Sequence, residues 1–136
     1  MKIFEFNVIL ASPDAQAREE IGFILESLGC RVIYCRDGLE AVRAQSAGAG
    51  RPDLAVLETE MPAMGGAEAL RIMRERDPGL RALMITDGGC ADEFEGLAEE
   101  GVQGALRKPV RAAELFAAVR KALDGAAAHR GKTPDE

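Results

Sequence analysis

Three polar residues in this chain each close or follow a short apolar run. Glu58 ends Leu54-Ala55-Val56-Leu57, Thr86 ends Ala82-Leu83-Met84-Ile85, and Lys108 lies just past Val102-Gln103-Gly104-Ala105-Leu106. A fourth run, Val8-Ile9-Leu10-Ala11, is followed by Ser12 and Pro13. A carboxylate, a hydroxyl and an ammonium gathered in one crevice can bind and stabilise a phosphoryl group. Asp14 and Asp87 stand beside the same run ends and offer further oxygens to a cation. The expectation for Asp14 is a place in a first helical turn, where the helix dipole favours a carboxylate. His129 is the one histidine, and it lies near the chain's end, so a Ser-His-Asp type of catalysis has no base to work with.

The elements that carry these residues alternate. Nearly continuous apolar runs at Phe6–Ala11, Arg31–Cys35, Asp53–Leu57, Arg81–Thr86 and Val102–Leu106 are the pattern of strands covered on both faces. Amphipathic segments follow each run. In the first, Ile21, Ile24, Leu25 and Leu28 recur at helical spacing and Gly29 ends the helix, with Ser12 expected as its N-cap and Pro13 at its first position. Asp37-Gly38-Leu39-Glu40 has the spacing of a capping box for the second. The third is expected over about Gly66–Arg76, stopped by Asp77-Pro78-Gly79. The fourth is expected over about Ala91–Glu100, and the fifth over about Arg111–Leu123. The segment 125–136 has no apolar periodicity and is expected as a flexible tail after a domain spanning 1–124.

Strict strand–helix alternation with short connections predicts an α/β, flavodoxin-like fold: one five-stranded parallel sheet in the order 2-1-3-4-5 with helices on both faces. In such sheets ligands bind beyond the carboxyl ends of the strands. Ser12, Pro13, Glu58, Thr86 and Lys108 should therefore converge there.

The order and spacing of these features resemble the receiver domain of bacterial two-component response regulators, from about Phe6 to Leu123. Pro52–Leu57 resembles the strand before the phosphorylation site, Met61-Pro62-Ala63-Met64-Gly65-Gly66 resembles the family's MPGMDG loop, and Leu83–Thr86 resembles its hydroxyl-bearing strand. Gly101-Val102 through Lys108-Pro109 resembles its last strand and Lys-Pro corner, which implies a cis peptide before Pro109. The resemblance also implies a site in which an acidic pair and an aspartate hold Mg²⁺, and the aspartate takes a phosphoryl group from a histidine kinase. A Thr and a Lys bind that phosphoryl group, and an aromatic on the last strand reports it.

On those positions this chain carries Ser12 and Pro13 for the acidic pair, Glu58 for the acceptor and Ala105 for the aromatic, and it retains Thr86 and Lys108. The usual three carboxylates against one lysine leave two negative charges for a divalent ion. One carboxylate against one lysine leaves none, and proline supplies no ligand for an ion that wants several hard oxygens. The expectation is thus an atypical receiver that is not phosphorylated, binds no metal or cofactor and is no enzyme. It would contain a direct Glu58–Lys108 ion pair, with Thr86 donating to Glu58. Two other readings stand beside it: a phospho-accepting switch with altered ligands, and a flavodoxin-like cofactor binder. Against the second, the loop from Ser12 to Gln16 lacks a Ser/Thr/Gly-rich phosphate cradle, and the chain has no tryptophan and one tyrosine, Tyr34.

Composition narrows the classes. The 136 residues suit one domain, at 47% apolar and 29% charged, which is a globular balance. A net charge of -6 argues against direct nucleic-acid binding. No run approaches the ~20 apolar residues of a membrane span, and the N-terminus lacks a signal-peptide pattern, so a cytoplasmic protein is expected. Cys30, Cys35 and Cys90 show no metal spacing and read as reduced apolar residues. Partners are expected to be proteins, such as a histidine kinase or an output module. A homodimer surface is expected across the acidic fourth helix (Asp92, Glu93, Glu95, Glu99, Glu100), strand five and the fifth helix, which carries Arg111, Arg120 and Lys121. The absence of further patterned sequence after the fifth helix fits a stand-alone module or a part of a larger regulator.

Overall fold

A computed structural model describes residues 6–47, 51–87 and 102–130, the last six of these by backbone alone. Five parallel strands, β1 (Asn7–Ala11), β2 (Arg31–Cys35), β3 (Leu54–Glu58), β4 (Arg81–Thr86) and β5 (Val102–Arg107), pair in the order β2-β1-β3-β4-β5. Helices α1 (Ala15–Ser27), α2 (Gly38–Ser46), α3 (Gly66–Arg76) and α4 (Ala112–Arg130) complete the described elements. The expected sheet order is borne out. The helix expected at Ala91–Glu100, with its acidic residues and Cys90, lies outside the described residues.

Strand alternation sorts the core into two layers. Val8, Leu10, Leu54, Val56, Leu83, Ile85 and Leu106 pack with Ile21 and Leu25 of α1 and Leu115 and Val119 of α4. The alternate residues Ile9, Ala11, Ala55, Leu57, Ala82 and Met84 pack with Ala41 and Val42 of α2 and Leu70 and Met73 of α3. Cys30 and Cys35 are buried, and loss of water pushes both thiols up to about 11. They stay protonated, apolar groups at neutral pH.

Helix boundaries correct two expectations. The N-cap of α1 is Asp14, whose carboxylate accepts from Gln16 N at 3.0 Å. Ser12 and Pro13 precede the helix, and Asp14 is the cap rather than a residue of the first turn. The physical reason is that Ser12 is fully buried, with its hydroxyl engaged elsewhere. The second correction is at the C-terminus, where α4 runs on to Arg130. Gly125–Arg130 is therefore helical backbone, because Ala126, Ala127 and Ala128 have the strongest helix preference of any residue and outweigh Gly125. At the end of α1, Gly29 takes φ 97°. Its amide reaches Glu26 O at 2.9 Å while that of Cys30 reaches Leu25 O at 3.1 Å, a Schellman turn.

The loop after β3 is fixed by close backbone approach. A Cβ on Gly66 would lie 2.3 Å from Glu58 O, and one on Gly38 would lie 2.4 Å from Met64 O. Ala63 sits in this loop at φ 67°, a left-handed conformation that disfavours a side chain. Gly66→Ala is expected to lower the unfolding free energy by about 2 kcal/mol, since the obstructing atom is backbone and cannot swing away. Ala63→Gly is expected to raise it by about 1 kcal/mol. Urea unfolding of both variants checks the two opposite signs.

Candidate functional site

Ser12, Glu58 and Lys108 follow Leu10, Val56 and Leu106 at a spacing of two, so alternation carries all three toward the α1/α4 side of the sheet. Backbone contacts hold each in place. Ser12 N donates to Cys35 O at 3.0 Å, Lys108 N donates to Thr86 O at 2.8 Å, and Thr59 N, just after Glu58, donates to Ile85 O at 2.9 Å. The peptide between Lys108 and Pro109 is cis, as the resemblance implies.

The three side chains meet. Lys108 Nζ lies 2.8 Å from Glu58 Oε1, and the Ser12 hydroxyl donates to Glu58 Oε2. Glu58 is only 5% exposed, so its charge has little water to lean on. The expected ion pair is present. Ser12 thus sets a hydroxyl on Glu58 that the sequence reading did not name. Thr86 is buried as well. Ser12 is itself held: its carbonyl accepts from Arg18 Nη1 at 2.7 Å, and its oxygen accepts from the Asp14 amide at 3.3 Å. Among the described residues no buried side-chain polar atom lacks a partner.

The simple balance of one carboxylate against one ammonium needs a correction. Asp87 Oδ1 lies 3.7 Å from Lys108 Nζ, with its side chain 80% exposed, so two carboxylates face the lysine, one buried and one in water. Partial burial acts to lower the Lys108 value. The hydrogen bond and charge of Glu58, with Asp87 and Asp14 behind them, outweigh it and hold the ammonium above its ordinary range. Beside Lys108 a groove of about 350 Å³ runs between α1 and the turn after β5, lined by Asp14, Ala17, Glu20, Ile21, Pro109 and Val110 among others. Pro13 and Ala105 are both exposed.

Sequence reasoning missed three contacts: Ser12 on Glu58, Arg18 on Ser12, and Asp87 on Lys108. The matching two-residue spacing of Leu10/Ser12, Val56/Glu58 and Leu106/Lys108 was a usable signal for the first. Nothing comparable marks Arg18.

The parallel sheet in this order, with its polar groups at the carboxyl strand ends, defines a flavodoxin-like domain. Comparison with known proteins identifies its kind. The profile of the response regulator receiver domain matches residues 8–120, and the chain belongs to that family of two-component signalling modules. It is 36% identical over 92 residues to a response regulator receiver protein of Anaeromyxobacter sp. (strain Fw109-5), covering 68% of this chain and 38% of that protein. It is 31% identical over 118 residues to the DNA-binding response regulator MtrA of Mycobacterium tuberculosis (strain ATCC 25618 / H37Rv), covering 86% of this chain and 50% of MtrA. The chain thus spans half or less of these two relatives. The signal receiver domain of a Luxo repressor protein from Vibrio parahaemolyticus superposes with a TM-score of 0.85 at 19% identity, covering 96% of this chain and 98% of that one. The CheX–CheY–BeF3–Mg complex from Borrelia burgdorferi gives 0.80 at 25% identity, covering 87% and 89%.

Lys108→Met should leave the Glu58 carboxylate buried without its cation and lower the unfolding free energy by about 3 kcal/mol. Adding Glu58→Met to that variant should restore most of the loss, because both charges are then gone. Urea unfolding at neutral pH distinguishes these outcomes, and equal losses in the single and double variants would remove the ion pair from the account. The pH dependence has a definite sign. Since the folded value of Lys108 lies above 10.5, the pair's contribution is complete below that pH and disappears as pH rises through the folded value. On the alkaline side of neutrality the gap in stability between parent and Lys108→Met should therefore persist until strongly alkaline solution.

Proposed function

We propose that this receiver works without phosphorylation, as a cytoplasmic signalling module that acts through contact with other proteins. The reading assigns Glu58 to the acceptor position, Ser12 and Pro13 to the acidic-pair positions, Thr86 and Lys108 to the phosphoryl-binding positions, and Ala105 to the position of the reporting aromatic. The observation that carries it is the 2.8 Å contact between Lys108 Nζ and Glu58 Oε1. Glu is one methylene longer than Asp, and its carboxylate occupies the reach of the lysine that a phosphoryl oxygen would otherwise fill.

Mg²⁺ does not fit the side chains present. Ser12 offers a hydroxyl already donated to Glu58, Pro13 offers no side-chain oxygen, and one Glu58 oxygen is taken by an ammonium. Asp14 is bound to the start of α1. Among the described residues no group of three or more carboxylate, imidazole or thiol side chains is placed to hold a metal ion. Phosphoryl transfer in the usual sense relies on a metal to neutralise charge, and this donor set supplies no place for one. The Borrelia complex similar to this fold is one with magnesium and beryllium fluoride.

The partners proposed are a histidine kinase or an output module. A pairing of two copies would run through β5, α4 and the acidic segment before β5. Among the described residues no helix is long and apolar enough to cross a membrane.

Incubation with acetyl phosphate and Mg²⁺ followed by intact-mass measurement tests the reading. The parent should gain no phosphoryl group, while Ser12→Asp/Pro13→Asp/Glu58→Asp should gain one and should bind Mg²⁺ by calorimetry. A phosphorylated parent would restore the ordinary switch and end this reading.

A further inference from the structure

The described residues leave two large apolar side chains exposed, Phe23 at 72% and Tyr34 at 43%, and both belong to one corner of the molecule, where α1 covers the edge strand β2. Tyr34 is seated deliberately. Its ring lies across Gly22, where a Cβ would come within 2.2 Å of the ring, and its hydroxyl donates to Glu26 Oε2 at 2.7 Å. A glycine inside a helix costs about 1 kcal/mol relative to alanine, and here it admits the aromatic ring. Shielding of α1 would account for Tyr34 alone. It does not account for Phe23, the next residue of the helix, which faces water.

The surroundings of the two rings specify a partner. Glu19, Phe23 and Glu26 recur at four and three residues and share one face of α1, with Glu20 beside them. All three glutamates are exposed. An anchored aromatic and a neighbouring exposed one, rimmed by carboxylates, suit an apolar side chain flanked by Lys or Arg, whose cations meet both the ring faces and the glutamates. A second copy of the same face would set glutamate against glutamate, and an anionic lipid surface would be repelled.

We propose that the α1/β2 corner is a docking surface for a basic, apolar segment of a partner protein, separate from the Glu58 crevice. Tyr34 provides a direct reporter, since the chain has one tyrosine and no tryptophan.

The test is a titration of the whole chain with a synthetic amphipathic Leu/Lys helix roughly five turns long, free of aromatic residues, following Tyr34 fluorescence and backbone amide shifts. Saturable binding is expected, with shifts centred on α1 and β2 and with affinity that falls as salt rises. Phe23→Ser, checked for an unchanged fold by circular dichroism, should weaken binding about tenfold, as should Glu19→Gln/Glu26→Gln. A Leu/Glu peptide of the same pattern should not bind. No saturable binding, equal affinity for Phe23→Ser, equal binding of the Leu/Glu peptide, or shifts centred elsewhere on the chain would each overturn the proposal. Self-association abolished by Phe23→Ser would assign the face to a second copy and overturn it as well.

Discussion

The contact of Lys108 with Glu58 is the constraint to which the rest of the crevice answers. A carboxylate only 5% exposed at the end of a parallel sheet carries a large desolvation cost unless its oxygens are satisfied. The ammonium takes one oxygen and the Ser12 hydroxyl takes the other. Ser12 can do so only because it is not the cap of α1. Asp14 takes that duty, and Arg18 fixes the Ser12 carbonyl from one turn inside the helix. The start of α1 is thus set where it is by the needs of a buried charge on another strand.

The same dependence reaches the other layer of the fold. Glu58 O lies so close to Gly66 that no Cβ fits between them, and Gly66 N donates to Thr59 O at 3.1 Å. The loop after β3 therefore turns immediately, and its Met64 carbonyl accepts from Gly38 N at 3.0 Å, at the start of α2. Ala63 takes a left-handed backbone in this loop, where the family's pattern has glycine. The turn is kept although its sequence is not ideal for it, because both of its ends are anchored by contacts that the rest of the sheet supplies.

Much of this was legible in the amino-acid sequence. Alternating runs and capping residues gave the element order and hence the sheet, since short connections between parallel strands allow few topologies. The ion pair was legible because Glu58 and Lys108 follow strands that end on the same edge. What failed were choices between near neighbours. Ser12 and Asp14 are both good caps by residue type, and only the burial of Ser12 against Glu58 decides between them. Asp87 on Lys108 depends on where the chain turns after β4, which no periodicity encodes. The extension of α4 was missed because a run of alanines has no apolar stripe to detect, although its intrinsic preference is helical.

Asp87 also bears on whether the crevice has one arrangement or two. A two-state switch needs a second arrangement of similar free energy, and Lys108 has an alternative partner in Asp87 at 3.7 Å. The two partners are unequal. Asp87 is mostly in water, where an ion pair contributes about 0–1 kcal/mol. Glu58, if abandoned, would keep a buried charge without its counterion, at a cost of several kcal/mol. Movement of the lysine to Asp87 is therefore strongly disfavoured, and Asp87 serves to support the charge of Lys108 where it already stands. In a site built this way the place of the lysine is set by the burial of Glu58.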